Sequence, residues 1–182
     1  MKKIILLLIF CIIIMNQKTF AGSLYKDNFQ DPSQWKFISD NVMGGVSTGS
    51  IDFSIIEGQS IAHLSGNVST ENNGGFIQFR RNMKGITLDG VNNIKIIAKG
   101  NNEKYFVHLR TTGTILPWQY YQHSFTVEEK YKEFILPIKK FKKSGAFQAS
   151  TINSKNIKSI GIVAYGKDYK AKIYVKEISF DE

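Results

Sequence analysis

The chain has 182 residues, 42% of them hydrophobic, with 24 Lys and Arg against 15 Asp and Glu and a formal charge of +9. That is enough for one self-supporting domain burying roughly 70% of its unfolded surface. A single cysteine, Cys11, excludes an internal disulfide, and its place in the leader described next removes a thiol nucleophile and a thiolate metal site as well.

Lys2 and Lys3 precede an apolar run from Ile4 to Met15, and a polar stretch leads to Thr19-Phe20-Ala21. This is a basic n-region, a short h-region and a small residue before a cleavage point, which predicts a signal peptide over residues 1–21. As a helix the apolar run rises about 18 Å, short of the roughly 30 Å hydrocarbon core of a bilayer. Phe10 before Cys11 does not fit a lipoprotein signal. The expectation is an exported protein, periplasmic or secreted, with residues 22–182 as its single domain and no stable membrane span after cleavage.

Loss of Lys2, Lys3 and Lys18 brings the formal charge to +6, much of it from Lys139, Lys140, Lys142, Lys143, Lys155, Lys158, Lys167, Lys170, Lys172 and Lys176. Such a rim attracts anionic lipid or polysaccharide, or serves only solubility. Export removes most reason to expect a nucleic-acid partner.

The elements that follow are short and β-rich. Ser50–Ile56 alternates like a strand, and Ser60–Leu64 and Phe76–Arg80 read the same way. Ile94–Lys99 is a strand buried on one face and partly on the other. Tyr105–Arg110 places Tyr105, Val107 and Leu109 on one side and His108 and Arg110 on the other. Phe134–Leu136 and Ile160–Tyr165 follow, with a turn near Ser154–Ile157. In the final run Ile173 and Val175 have one parity and Ile178 and Phe180 the other, which a bulge, or burial on both faces, reconciles. Gly44-Gly45, Asn72-Asn73-Gly74-Gly75, Gly100-Asn101-Asn102 and Gly166-Lys167-Asp168 supply the turns. About ten strands with regular turn signals predict an all-β, jelly-roll β-sandwich.

Gly45-Val46-Ser47-Thr48-Gly49 matches G-x-S-x-G, but an alternating strand follows where a nucleophile elbow requires a helix. Asp40 with Glu71 offers a carboxylate pair of glycosidase type, yet both stand beside Gly and Asn, where acidic side chains cap turns. The three histidines, His63, His108 and His123, lack zinc spacing. Asp27, Asp31 or Asp40 are the donors available to a structural calcium in a loop. The reading assigns no catalytic residue, no metal ligand and no cofactor.

Two loops, Ser39–Gly49 and Glu71–Arg80, are denser in Gly, Asn, Asp and Ser than a connector needs. Either they brace each other at one end of the sandwich, or they present a polar rim of Asp40, Asn41, Ser47, Glu71, Asn72, Asn73 and Arg80 to a ligand. Pro117–His123 adds Trp118, Tyr120, Tyr121 and His123, suited to stacking a sugar or anchoring a protein interface. As a strand it would turn Trp118 and Tyr120 one way and Gln119 and Tyr121 the other, leaving half the cluster in the core.

The strings SDNVMGGVSTG (Ser39–Gly49) and GNVSTENNGGF (Gly66–Phe76), with Arg80, resemble the thirty-kilodalton complex I intermediate-associated protein family. The resemblance continues through Lys99-Gly100, Tyr105, Leu109-Arg110 and Leu136-Pro137 to Phe141. It implies a galactose-binding-domain-like β-sandwich and a non-enzymatic role as an assembly factor or chaperone for a protein partner, in mitochondrial members intermediates of a membrane-protein complex. Trp35, Asp40, Met43, Gly44, Gly45, Ser47, Glu71–Phe76 and Arg80 stand at its signature positions. Tyr131, Ile138 and Phe147–Ser150 depart from the family pattern, and an exported member would be out of reach of complex I. The alternative function is a carbohydrate-binding module in the envelope or outside the cell.

Overall fold

Strand-forming residues alternate through a computed structural model that describes residues 23–182; the expected signal peptide lies outside the described residues. The strands are β1 (Ser23–Asp27), β2 (Trp35–Ser39), β3 (Thr48–Ile56), β4 (Gln59–Val68), β5 (Phe76–Asn82) and β6 (Asn93–Gly100). They continue as β7 (Lys104–Thr111), β8 (Tyr121–Thr126), β9 (Lys132–Pro137), β10 (Lys142–Lys143), β11 (Ile157–Tyr165) and β12 (Tyr169–Asp181). One sheet runs β3-β4-β12-β6-β9 with β1 also on β12, and the other β10-β8-β7-β11-β5-β2. All pairings are antiparallel. The all-β sandwich is therefore the observed fold, and among the described residues no helix is long and apolar enough to cross a membrane.

The period-2 pattern decides which face is inside. Tyr105, Val107 and Leu109 of β7 and Ile77 and Phe79 of β5 are fully buried between the sheets. Their neighbours Phe106, His108, Arg110, Phe76, Gln78 and Arg80 are turned to the outer face. Phe29, Trp35 and Phe79 form an aromatic knot, with ring centroids 5.3 Å (Phe29–Trp35) and 5.1 Å (Trp35–Phe79) apart. Burial of this kind, at about 25 cal/mol per Å², holds a domain that has no disulfide.

The conflicting parities near the C-terminus are resolved by a bulge. Val175 pairs with Ala98 and Glu177 with Ile97, so Lys176 is the extra residue. Ile173, Val175, Ile178 and Phe180 all reach the core as a result. The turn expected near Ser154 is a 3-10 turn over Ser154–Asn156, capped by Asn153.

Candidate functional site

The two Gly- and Asn-rich loops meet on one side chain. Asp40 is fully buried. Its Oδ1 accepts from Ser47 N (2.9 Å), and its Oδ2 from Ser47 Oγ (2.5 Å), Gly75 N (2.6 Å) and Phe76 N (3.2 Å). Ser47 Oγ in turn accepts from Ser69 N at 3.0 Å. Burial alone would raise the Asp40 pKa, but the donors from Gly75, Ser47 and Phe76 together outweigh it and hold the carboxyl below its ordinary range. The glycines follow from this: a Cβ on Gly45 would stand 2.3 Å from Asp40 Cγ, and one on Gly74 2.5 Å from Asp40 Oδ2. Packing, rather than turn geometry, demands glycine at both positions.

This clamp sets one end of a groove on the outer face of the sheet containing β5, β7 and β11. The 3-10 turn Asp40–Met43 lifts Val42 and Met43 to the rim, and Asn73 and Gly74 lie beside them. The groove encloses about 680 Å³ and runs past Ile38, Phe76, Gln78, Arg80, His108 and Arg110 to Tyr120, Tyr165 and Trp118. Among the described residues that line it there is no Asp or Glu.

The far end is aromatic and fixed from below. Tyr120 lies flat on His108, with ring centroids 3.9 Å apart and planes within 10°, and Tyr165 meets His108 edge-on at 5.9 Å. Burial drives the His108 pKa down to about 4, against a smaller pull upward from Gln122, so this stack is neutral at physiological pH. Trp118 is 62% exposed, yet its loop is tied down. Buried Gln119 accepts from Ile115 N (2.9 Å) and Leu116 N (3.1 Å), and Arg110 donates to Leu116 O at 3.0 Å. Ser144 Oγ accepts from Tyr120 N at 3.0 Å, and buried Gln148 donates to Tyr120 O at 3.1 Å. An exposed indole on a pinned loop is pre-organised for contact, because little is left to order on binding.

The predicted site residues divide accordingly. Asn73, Arg80, Trp118 and Tyr120 line the groove, whereas Glu71 and Asn72 are exposed on the adjoining turn. Asp40 and Ser47 are corrections: both are fully buried, so they build the loops and cannot touch a ligand. Asn41 is exposed beside them, its side chain donating to Gly45 O at 2.7 Å and accepting from Ser39 Oγ at 2.8 Å. Tyr121 is also corrected; it is core, with its hydroxyl donating to Ala149 O at 3.0 Å. His123 has the parity of Tyr121 and packs against Phe141 at 5.4 Å, away from the groove. The strand begins only at Tyr121, but the expected division of Trp118 and Tyr120 from Gln119 and Tyr121 holds.

The chemistry weighed for Ser47 and Asp40 has no seat. Ser47 leads into β3 and bonds to a carboxylate instead of a histidine, and Asp40 is sealed from solvent. Nor do the calcium candidates converge. Asp27 accepts from Trp35 Nε1 at 3.0 Å and pairs with Arg81, while Asp31 caps Ser33 and Gln34. Among the described residues no group of three His, Cys, Asp or Glu side chains is placed to hold a metal ion.

The family profile of Complex I intermediate-associated protein 30 matches residues 23–174. The chain belongs to that family. No curated protein matches it in sequence. Among solved structures, this member of the family is similar to a family 11 carbohydrate-binding module from Clostridium thermocellum in complex with a β-1,3-1,4-mixed-linked tetrasaccharide. Identity is 16% and TM-score 0.67 over 85% of this chain and 92% of that one. The family 11 module of a C. thermocellum cellulosomal cellulase aligns at 16% identity and TM-score 0.68, over 88% and 94% of the two chains. Part of an exo-β-agarase matches at 9% identity and TM-score 0.53, covering 84% of this chain but 24% of that enzyme. At these identities the likeness establishes the β-sandwich fold and nothing finer.

Sequence reasoning passed over several groove residues. Arg110 and His108 were on the outward parity of β7 but had no neighbours to give them meaning. Gln78 and Tyr165 become groove residues only once β5 and β7 are known to flank β11. Gln119 and Gln148 carried no signal, because an amide that fastens a loop is indistinguishable in sequence from one in solvent.

Proposed function

We propose that this domain binds a glycan chain in the groove without cleaving it. One observation carries the reading: an exposed Trp118 on a pinned loop stands at the mouth of a largely apolar groove with a few polar side chains, beside the Tyr120–His108 stack. Flat aromatic surface matches the apolar face of a pyranose, and Gln78, Arg80, Arg110 and Asn73 supply hydrogen bonds for its hydroxyls. Hydrolysis by paired carboxylates needs two acidic side chains at the bond, and the lining supplies neither. The sandwich shared with carbohydrate-binding modules supports the same conclusion.

Affinity electrophoresis through gels cast with different polysaccharides tests it. Retardation by at least one polysaccharide is expected, with Trp118→Ala weakening it by about tenfold or more, the scale of a lost aromatic anchor. Retardation by none, or retention that Trp118→Ala leaves unchanged, would sink the proposal.

A second reading, binding of a protein partner in an assembly-factor role, draws on family membership and on Val42 and Met43, which are 73% and 60% exposed at the groove rim. Mild crosslinking of the wild-type domain should then capture one envelope protein that Met43→Asp no longer captures. Capture unaffected by that change would remove this reading. We also place the domain outside the cytoplasm, on the strength of Lys2-Lys3, Ile4–Met15 and Ala21. The mature N-terminus should then be Gly22 by intact mass, and an unprocessed cytoplasmic product would contradict it.

A further inference from the structure

We infer that the groove selects an acidic glycan, one whose carboxylate or sulfate ester sits on Arg80 and Arg110. The inference rests on the glycan reading and names the substrate class for the same groove. Arg80 on β5 pairs with Gly161 of β11, and Arg110 on β7 pairs with Ser159 of the same strand. The two arginines therefore flank β11 from opposite sides, two strand spacings across and two residues along, with backbones about 12 Å apart. Gly161 and Ser159 are the β11 residues at these positions, and a Cβ on Gly161 would come within 2.9 Å of Gln78 Oε1 and 3.7 Å of Arg80 Cβ, so the Gln78 amide and the Arg80 stem close over a strand position that only glycine fits.

Charge on this half of the face is uncompensated. Lys36 and Lys158 join Arg80 and Arg110 around the adjoining depression, whose other lining residues are neutral. Ion pairs elsewhere are ordinary for this protein: Lys26 with Glu177, Arg81 with Asp27, Lys95 with Glu133 and Asp181, Lys132 with Glu128, and Lys167 with Glu103. None of these four cations has such a partner among the described residues; the Arg80 guanidinium makes no hydrogen bond there, whereas that of Arg110 donates to Leu116 O at 3.0 Å and Thr114 O at 3.5 Å. Burial, and then the charge of Arg110, push the Arg80 pKa down. Two half-buried guanidinium groups on either side of one strand without a counter-ion raise each other's electrostatic cost, which an incoming oxyanion lowers while accepting from Arg80 and from the N–H donors that Arg110 does not spend on its loop. The aromatic end would take the sugar ring and the basic end its anionic substituent, in one continuous groove that shares Ile38, Arg80 and Arg110.

Calorimetric titration of the purified domain should use polygalacturonate, alginate and carrageenan, with carboxyl-reduced polygalacturonate, desulfated carrageenan and mixed-linkage β-glucan as neutral controls. The expected result is binding of an acidic polymer at least about tenfold tighter than its neutral form, the loss of affinity expected when a charge-assisted hydrogen bond is removed. Whether uronate or sulfate polymers bind distinguishes carboxylate from sulfate recognition. Arg80→Gln and Arg110→Gln should each abolish the preference, while the exposed-rim double variant Lys139→Gln/Lys140→Gln keeps it. Neutral polymers that bind as tightly as acidic ones would overturn the inference and leave the glycan reading intact. Equal losses in the groove and rim variants, or tighter binding of single-stranded DNA with the same arginine dependence, would overturn it as unselective polyanion attraction. No binding by any polysaccharide would remove the glycan reading, and this inference with it.

Discussion

Replacing Asp40 by Asn tests the loop clamp with almost no change of shape. The native carboxylate accepts from Ser47 N, Ser47 Oγ, Gly75 N and Phe76 N. An amide can present its oxygen toward Ser47 Oγ, Gly75 and Phe76, but its NH₂ then faces Ser47 N–H, donor against donor. One buried N–H left without a partner costs about 1–3 kcal/mol, and the remaining bonds lose their charge assistance, so the sum is about 3–5 kcal/mol. For a domain of this size each kcal/mol moves Tm by about 2–4 °C, giving a fall on the order of 10 °C in a thermal melt followed by near-UV circular dichroism. The difference should also depend on pH in one direction. Asp40 has a folded-state pKa below the ordinary 3.8, so its contribution is complete above that value and is lost as pH falls through the lower, folded one. The two melting curves should therefore converge in acid below about pH 3.8. A variant that melts within 2 °C of wild type at neutral pH, or a gap that widens in acid, would refute the reasoning.

Further consequences are open to direct measurement. Gly45→Ala and Gly74→Ala each drive a methyl into Asp40 and should destabilise by about 3 kcal/mol or more in urea unfolding, at the top of the overpacking range. Gly113→Ala, whose nearest neighbour would be Thr111 Oγ1 at 3.7 Å, should stay within about 0.5 kcal/mol of wild type in the same assay. Phe79→Ala empties the centre of the aromatic knot and should cost about 3–5 kcal/mol. His108, with its pKa lowered to about 4, should show no imidazole titration by NMR between pH 5 and 8; a midpoint near the ordinary 6.5 would mean that the Tyr120 stack is open to water.

What could be seen in the sequence followed from local periodicity. The alternation of Tyr105–Arg110 was enough to set inward and outward faces, and the split parity of Ile173–Phe180 called for a bulge or burial on both faces, of which pairing across β6 and β12 decides for a bulge at Lys176. The mutual bracing of the two Gly-rich loops was legible too, because Asp, Ser and paired Gly constrain backbone in known ways. Its centre was not. Nothing local distinguishes Asp40, sealed from water, from an exposed Asp at a turn, since its donors at Gly75 and Phe76 lie 35 and 36 residues away. The groove was hidden for the same reason. Arg80 and Arg110 belong to strands separated in sequence and meet only across β11, which comes later than both.

The most direct test of the groove as the binding surface is an amide and indole ¹H–¹⁵N correlation titration with the tightest-binding polysaccharide's oligomer. The account predicts shifts concentrated at the Trp118 Nε1–H and the backbone amides of Phe76, Arg80, Arg110 and Gly161, with the opposite sheet around Tyr174 and Tyr131 unmoved. Shifts centred on that opposite sheet, with the Trp118 indole unmoved, would contradict it.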